Sequence, residues 1–212
     1  MDAWTPASRA FVRARHRARP GRRRARPSRR PRSGLNAVGD VPPGAAFRIC
    51  LVCLGNICRS PMAATVLRQR LSEAGLAHRV TVESAGTGGW HVGGPADPRA
   101  LVALDTRGYQ AHDHIARQFT AESFAEYDLV LAMDRDNFAE LNMLAPGAVS
   151  RASVQMLRTY DAAALAAGDL DVRDPYYGPD DGFDRVLDQV VAAVDGLVEV
   201  LRRELTDEPR AG

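Results

Sequence analysis

The chain has 212 residues, of which 45% are hydrophobic and 25% charged, enough for one folded domain with a hydrophobic core. No apolar run reaches the ~18 residues of a membrane-spanning helix, so we expect no membrane association. All three cysteines fall between positions 50 and 58. This spacing argues against the disulfide framework of a small secreted protein and favours a reducing, cytoplasmic location.

Charge divides the chain into a basic and an acidic part. Residues 1–46 contain twelve arginines against Asp2 and Asp40, whereas the remaining 166 residues contain sixteen arginines against 24 acidic residues. Like-charge repulsion, proline and a shortage of apolar side chains predict a disordered Arg/Pro-rich tail at residues 1–46. We expect this tail to be simply solvated; the alternative is an arm that binds nucleic acid or an acidic partner. The folded domain is predicted at residues 47–207, followed by a short tail at 208–212.

Strand and helix signals alternate from residue 47 onwards. Short runs rich in apolar and β-branched residues predict buried strands at residues 47–52, 80–84, 127–133 and 154–157. Apolar residues at steps of three and four, with caps and stop signals, predict helices at residues 61–74, 98–107, 135–144 and 183–205. Asp97, before Pro98, is predicted to open the second of these helices, and Asp134 is predicted to cap the third. A short extended piece is predicted at 115–119 and a helical turn at 120–123. The alternation predicts an α/β fold whose parallel sheet is covered by helices on both faces.

The first predicted strand runs into a segment with an unusual composition, Cys53-Leu-Gly-Asn-Ile-Cys-Arg-Ser-Pro61. Gly55 and Asn56 tolerate unusual backbone angles, so the chain can curl there. Ser60 fits a helix N-cap and Pro61 the first helical position. A curled loop at a helix N-terminus directs several N–H groups inward, and the segment therefore predicts a socket for a tetrahedral oxyanion.

The same loop carries two reactive groups in a Cys-x5-Arg spacing. The field of the helix N-terminus favours the thiolate form of Cys53, and Arg59 offers a planar fork for two oxygens of one phosphoryl group. A thiolate that attacks phosphorus also needs an acid to protonate the leaving oxygen. Asp174 is the candidate, because Pro175 holds it extended in the loop before the last helix. A plain Asp-Pro turn is the alternative interpretation of this position.

The pairing of Cys53-Leu-Gly-Asn-Ile-Cys-Arg-Ser-Pro61 with Asp174-Pro-Tyr-Tyr-Gly178 resembles the low-molecular-weight protein tyrosine phosphatases, in their bacterial type. The resemblance runs from about Arg48 to Leu205. It implies a three-layer, phosphotyrosine phosphatase I-like fold with a four-stranded parallel sheet flanked by helices, and no metal or other cofactor. It also implies a phosphatase whose substrates are phosphotyrosine-containing proteins. We expect a monomer or weak dimer that reaches nucleic acid, if at all, only through the tail.

The resemblance assigns roles to individual residues. Cys53 is implied as the nucleophile, Arg59 as the phosphate clamp and Asp174 as the general acid and base. Ser60 would donate a hydrogen bond to the thiolate. The residues implied to bind phosphate or to hold the loop in shape are Leu54, Gly55, Asn56, Ile57, Cys58, Ser60, Ser84 and His114.

Substrate choice is expected to depend on the wall of the pocket. Trp90, Tyr176 and Tyr177 predict an aromatic slot around a flat phenyl ring, which favours phosphotyrosine. Similar bacterial proteins dephosphorylate phosphoarginine and carry threonine where this chain has Ile57, so isoleucine also favours phosphotyrosine. A protein arginine phosphatase is the alternative. An arsenate reductase on the same scaffold would need further cysteines downstream, and none follows Cys58.

Three side-chain pairs in the motifs allow further interpretations. A reversible Cys53–Cys58 disulfide would inactivate the enzyme under oxidation, unless Cys58 is only a small packing residue. Cys50 and Cys53 have the spacing of half a zinc site, but the chain has no second cysteine pair, so we expect no metal. The neighbouring Tyr176 and Tyr177 are candidates for regulatory phosphorylation.

Overall fold

Four strands form the centre of the fold in a computed structural model that describes residues 45–111, 113–145, 153–178 and 181–206. They are β1 (Phe47–Cys53), β2 (Val80–Gly86), β3 (Leu129–Ala132) and β4 (Ser153–Met156). The strands lie in the order β2-β1-β3-β4, and each neighbouring pair is parallel. The predicted four-stranded parallel sheet is confirmed. The predicted tails lie outside the described residues, apart from residues 45 and 46.

Four of the helices in the described residues correspond to those that the apolar spacing predicts. Within the described residues they are α1 (Arg59–Glu73), α2 (Pro98–Thr106), α3 (Arg135–Leu144), α4 (Ala162–Ala167) and α5 (Gly182–Thr206). Short 3₁₀ helices lie at Glu122–Ala125 and Leu157–Tyr160. None of these described helices has the length and apolar character needed to cross a bilayer.

Helix α4 and the 3₁₀ helix before it are absent from the sequence-based prediction. Helix α4 has only six residues, mostly alanine, so it carries too few large apolar side chains to show a helical period. Its ends nevertheless carry ordinary signals. The Asp161 carboxylate accepts hydrogen bonds from the N–H groups of Ala163 and Ala164, and Gly168 ends the helix with a φ of 68°.

Strand β1 is buried on both faces, as a central strand of a three-layer fold must be. Its residues Ile49 and Leu51 belong to the core shared with α1 and α5. Cys50 and Val52 point to the opposite side, where Phe119 and other aromatic side chains complete a second, smaller core. Cys50 and Cys53 therefore lie on opposite faces of the strand, which rules out the half-zinc-site interpretation of this pair.

The predicted start of the first helix is wrong by two residues. Helix α1 begins at Arg59, and the N-cap is Cys58, whose side chain makes no capping hydrogen bond. Ser60 lies inside the first turn, because its hydroxyl bonds instead to Cys53 and Asn56 in the preceding loop and to the Ala85 carbonyl in β2. Pro61 is still accommodated, since the first four N–H groups of a helix have no partner within the helix. The other predicted caps, Asp97 and Asp134, are confirmed by hydrogen bonds to Arg99 N and Asn137 N.

The sheet topology places the end of β1 between the ends of its neighbours. Cys53 is opposite Gly86 at the end of β2, and Val52 is opposite Ala132 at the end of β3. In open parallel sheets, ligands bind in the crevice outside the carboxyl ends of the strands. The loop after Cys53 lies at this edge.

Candidate active site

The loop of residues 53–60, here called the phosphate loop, curls between β1 and α1. Asn56 has a φ of 56° and is the one non-glycine residue with positive φ among those described. Gly55 is needed for a different reason than the predicted curl. A Cβ atom there would lie 2.9 Å from Cδ2 of His91, so glycine leaves room for the imidazole beside the loop.

The Cys53 sulfur is buried at the floor of this loop, and the residue is 2% exposed. The backbone N–H of Asn56 donates to Sγ at 3.3 Å, and the Ser60 hydroxyl lies 3.0 Å from Sγ. Both groups stabilise negative charge on the sulfur when they donate to it. The geometry brings together the predicted nucleophile and its predicted donor.

Asn56 is the centre of the hydrogen bonds that hold the phosphate loop in shape. Its side-chain nitrogen donates to the hydroxyls of Ser60 at 2.9 Å and Ser84 at 3.0 Å. Its side-chain oxygen accepts from Arg117 N at 2.9 Å, and its carbonyl accepts from His114 Nε2 at 2.6 Å. Asn56 is fully buried, so each polar group of its side chain has a partner. Hydrogen bonds with four residues thus hold Asn56 in its positive-φ conformation.

His114 is held neutral by its surroundings. Burial lowers the pKa of its imidazole, and the nearby Arg68 and Arg117 act in the same direction. Since a carbonyl oxygen only accepts, Nε2 carries the hydrogen that is donated to Asn56. A neutral ring is sufficient for this contact.

Arg59 is buried at the start of α1 and binds two carboxylates. Its Nη1 contacts Asp134 Oδ2 and donates to the Val172 carbonyl at 3.1 Å, while Nη2 donates to Asp174 Oδ2 at 2.6 Å. Burial opposes the charge of the guanidinium, but the Cys53 sulfur and both carboxylates outweigh it and raise its pKa. The group therefore remains a cation beside the sulfur.

Asp134 is a part of this site for which the sequence predicts only a capping role. Its Oδ1 caps α3 by accepting from Asn137 N at 2.7 Å, which leaves Oδ2 for Arg59. The available signal was its place directly after a buried strand, at the edge where the phosphate loop lies. The carboxylate fixes the Arg59 fork from the side opposite Asp174.

Asp174 lies on the loop of residues 173–178, here called the acid loop, between α4 and α5. The backbone N–H of Val172 donates to the Met133 carbonyl at 2.7 Å and so joins the start of this loop to the end of β3. The N–H of Tyr176 donates to Asp174 Oδ1 at 3.0 Å, while Oδ2 receives the bond from Arg59. The Asp174 side chain is 42% exposed, in contrast to the buried Arg59.

A cavity of about 420 Å³ connects the two loops. Trp90 and Tyr177 stand at its rim and are 75% and 96% exposed, and the ring of Tyr176 meets that of Tyr177 edge to face at 4.8 Å. His91, which the sequence-based prediction misses, lies 6.3 Å from Tyr176 between ring centroids. The residues that line the cavity are Cys53, Leu54, Gly55, Ile57, Cys58, Arg59, Trp90, His91, Asp174, Tyr176 and Tyr177.

The three cysteines are free thiols in this structure. Burial raises the pKa of Cys58, with the Asp97 carboxylate acting in the same direction, and burial raises the pKa of Cys50 to about 12. Both thiols therefore stay protonated and are poor nucleophiles at neutral pH. Among the described residues, no three His, Cys, Asp or Glu side chains converge in a way that could hold a metal ion.

Comparisons with known proteins agree with this geometry. The family described as "Low molecular weight phosphotyrosine protein phosphatase" matches residues 48–207. A Streptomyces coelicolor low molecular weight protein-tyrosine-phosphatase is 51% identical over 159 residues, which are 75% of this chain and 96% of that protein. A crystal structure of an Entamoeba histolytica protein tyrosine phosphatase has a TM-score of 0.69 at 34% identity, covering 74% of this chain and 98% of the other.

A Drosophila arginine phosphatase has nearly the same fold, with a TM-score of 0.67 at 27% identity over 73% of this chain and 98% of its own. The shared fold thus includes proteins named for different phosphorylated residues. The match over residues 48–207 and the 51% identical relative decide the family. This chain belongs to the low-molecular-weight protein tyrosine phosphatase family.

Proposed function

We propose that this phosphatase hydrolyses phosphotyrosine in proteins through a covalent phosphocysteine intermediate. The observation that carries the proposal is the convergence of Cys53, Arg59 and Asp174 on one cavity at the end of β1. A nucleophile and a cation on one loop, with a carboxylic acid on another, are the groups that this chemistry requires.

In the first step, the Cys53 thiolate attacks phosphorus in line with the leaving oxygen. The S–P bond forms as the P–O bond breaks, and Asp174 gives its proton to the departing phenol oxygen. Arg59 and the N–H groups of the phosphate loop balance the charge on the other three phosphoryl oxygens. The Ser60 hydroxyl stabilises the thiolate before the attack.

In the second step, water attacks the phosphorus of the phosphocysteine. The ionised Asp174 accepts a proton from this water, the S–P bond breaks, and the electron pair returns to Cys53 as thiolate. Inorganic phosphate leaves, and the protonated Asp174 is ready for the next substrate. One carboxyl group therefore serves as acid and then as base.

The cavity wall favours an aromatic substrate. Ile57 lines the cavity together with Trp90, Tyr176 and Tyr177. These apolar surfaces can pack on a phenyl ring, whereas Ile57 gives no hydrogen-bond partner to the guanidinium N–H groups of phosphoarginine. The fold shared with a named arginine phosphatase keeps phosphoarginine as the second candidate substrate.

The covalent intermediate is tested by trapping it during turnover. Rapid denaturation in alkali during turnover of an aryl phosphate, in the presence of a chelator, should leave one phosphoryl group on the peptide that contains Cys53. Turnover with no such adduct would contradict the intermediate.

The cytoplasmic location and the monomeric or weakly dimeric state remain predictions. Cell fractionation tests the first, and sedimentation at two protein concentrations tests the second.

Substrate choice is tested with peptides that differ only in the phosphorylated residue. We expect kcat/KM to be at least about tenfold higher for phosphotyrosine than for phosphoarginine, and Ile57→Thr to narrow the ratio. Ile57→Val is the matched control, because it shortens the same side chain without adding a hydroxyl. A wild-type preference for phosphoarginine would replace the proposed substrate with the second candidate.

A further inference from the structure

Arg99 in the first turn of α2 connects three parts of the molecule. Its Nε and Nη2 donate to Asp97 Oδ1 and Oδ2 at 3.1 and 2.9 Å, and the same Nη2 donates to the Tyr176 carbonyl at 3.2 Å. Its guanidinium carbon also lies over the rings of Tyr176 and Phe183, at 5.6 and 4.8 Å from their centroids. The planar group is thus oriented by α2, α5 and the acid loop together.

Asp97 ties this arginine to the phosphate loop. It is 9% exposed, and its backbone N–H donates to the Ile57 carbonyl at 2.8 Å. Hydrogen bonds from Arg99 and from the Cys58 thiol hold the pKa of the Asp97 carboxyl below its usual range, against the effect of burial. The carboxylate is therefore charged, and Arg99 is anchored at a nearly buried point beside the loop.

These contacts form a closed ring that joins the phosphate loop to the acid loop. From Asp97 and Arg99 it passes to the Tyr176 carbonyl, and the N–H of Tyr176 then binds Asp174 Oδ1. Asp174 Oδ2 in turn accepts from Arg59, which brings the ring back to the phosphate loop. Asp174 is thus held from two sides, by Arg59 directly and by Arg99 through Tyr176.

These two restraints differ once a substrate binds. The Arg59 fork must then serve the phosphoryl oxygens, so its contact with Asp174 weakens when the acid is needed. The contacts that Arg99 makes with Asp97 and with the Tyr176 carbonyl do not use the Arg59 fork. The path through Arg99 is therefore the restraint that persists during proton transfer.

We propose that Arg99 is a positioning residue, which holds the acid loop against the phosphate loop and thereby aims Asp174 at the leaving oxygen. This inference deepens the proposed function and rests on it. Arg99 does not touch the reacting atoms and acts through Tyr176. Its removal should slow only those reactions whose leaving group needs a proton.

The test compares phenyl phosphate with p-nitrophenyl phosphate, because the nitro group stabilises the departing phenolate and reduces the need for an acid. For Arg99→Ala, we expect kcat/KM to fall about tenfold with phenyl phosphate and less than about threefold with p-nitrophenyl phosphate. Arg99→Lys should show the same selective loss, because an ammonium cannot hold Asp97 and the Tyr176 carbonyl in the planar geometry of the fork.

Two controls separate positioning from folding. The Asp97 cap of α2 survives in both variants, since it binds the backbone N–H of residue 99, and Arg99→Lys also keeps the charge beside Asp97. Arg107→Ala removes an arginine at the other end of α2, whose exposed ion pair with Asp188 also reaches α5 but not the acid loop. We expect Arg107→Ala to leave both rates unchanged. If Arg99→Ala fails to fold, the rates of Arg99→Lys with the two substrates test the positioning role.

Equal losses with both substrates in Arg99→Lys, or no loss with either, would overturn the positioning role. Asp174→Asn is measured in parallel to separate this outcome from failure of the proposed function. A selective loss in Asp174→Asn without one in Arg99→Lys would overturn only the role of Arg99. No selective loss in Asp174→Asn would instead overturn Asp174 as the general acid, and with it the reason for positioning it.

Discussion

The phosphate loop and the acid loop face the same cavity but are held in different ways. In the phosphate loop, Asn56, Arg59 and Ser60 are at most 2% exposed. In the acid loop, the Asp174 side chain is 42% exposed and Tyr177 is 96% exposed. The first loop is held by buried hydrogen bonds from several elements, and the second by contacts with Arg59 and Arg99 and by the packing of Tyr176 against the core.

This difference matches the tasks of the two loops in the proposed reaction. An oxyanion site works best when its donors are already oriented, because reorganisation during the reaction costs free energy. A general acid on an exposed loop can admit a protein substrate and still approach the leaving oxygen. Regions with few buried contacts open locally at low free-energy cost. The following changes test this division, in order of decreasing effect.

Cys53→Ser tests the chemical group at the centre of the rigid loop. We expect kcat to fall by about 10⁴-fold or more, because a serine hydroxyl stays protonated and is a weak nucleophile. The change of one buried atom should preserve the loop, so inorganic phosphate should still bind, as measured by calorimetry. Activity within an order of magnitude of the wild type would contradict the proposed nucleophile.

Asp174→Asn tests the exposed loop in the same way. We expect kcat/KM for phenyl phosphate to fall by about 10²- to 10³-fold, because the amide cannot donate a proton to the leaving oxygen. Asparagine keeps an oxygen for the Tyr176 N–H, so the acid loop should stay in place. Inhibition by inorganic phosphate should be unchanged, and its loss would mean that the two loops are not separable.

Gly86, beside the phosphate loop, and Gly178, in the acid loop, allow the packing of the two loops to be compared. A Cβ at Gly86 would lie 2.6 Å from the Leu54 carbonyl oxygen and 3.0 Å from Asn56 N, whereas a Cβ at Gly178 would meet Pro175 O at an ordinary 3.5 Å. Gly86→Ala should lower the free energy of unfolding by about 1–3 kcal/mol and distort the phosphate loop. It should also reduce kcat/KM at least about tenfold.

Gly178→Ala is the matched control, with an expected change in stability within about 0.5 kcal/mol and nearly wild-type turnover. Urea unfolding and kcat/KM measured on both variants check the pair. Equal changes in stability and in kcat/KM for the two variants would contradict the proposed difference between a tightly packed loop and an open one.

His114 gives the smallest expected effect, on the pH dependence of stability. Since burial lowers its pKa in the folded protein, the unfolded chain takes up a proton first as the pH falls. The stability that neutral His114 contributes to the folded protein is fully present above the ordinary histidine pKa of about 6.5. As the pH falls below this value, the free energy of unfolding decreases by less than about 1.4 kcal/mol per pH unit.

His114→Gln keeps a donor for the Asn56 carbonyl but does not titrate. The decrease in unfolding free energy from pH 7.5 to pH 5.5 should therefore be smaller than in the wild type, as measured by urea unfolding. Equal decreases in the two proteins would show that His114 does not contribute.

Local patterns were sufficient to predict the parallel sheet and four of the described helices. The alternation of strand and helix signals predicted the parallel sheet, and the caps Asp97 and Asp134 were correct because capping involves residues close in sequence. The predicted start of α1 was wrong because the Ser60 hydroxyl bonds to Cys53 and Asn56 in the loop and does not cap the helix. The sequence preferences of helix caps do not reveal such competing partners. The roles of Cys53, Arg59 and Asp174 stay proposals that their placement supports.

The amino-acid sequence by itself determined the order of strands and helices, the family, and the segments that carry the sulfur, the guanidinium and the carboxylic acid. Tertiary structure decided how these groups are held: Arg117 behind Asn56, Asp134 beside Arg59, and Arg99 against the Tyr176 carbonyl. The reason is physical. Secondary structure and caps depend on neighbours within a few residues, whereas each of these supporting contacts joins a side chain to a segment that only the packing of the sheet and helices brings near.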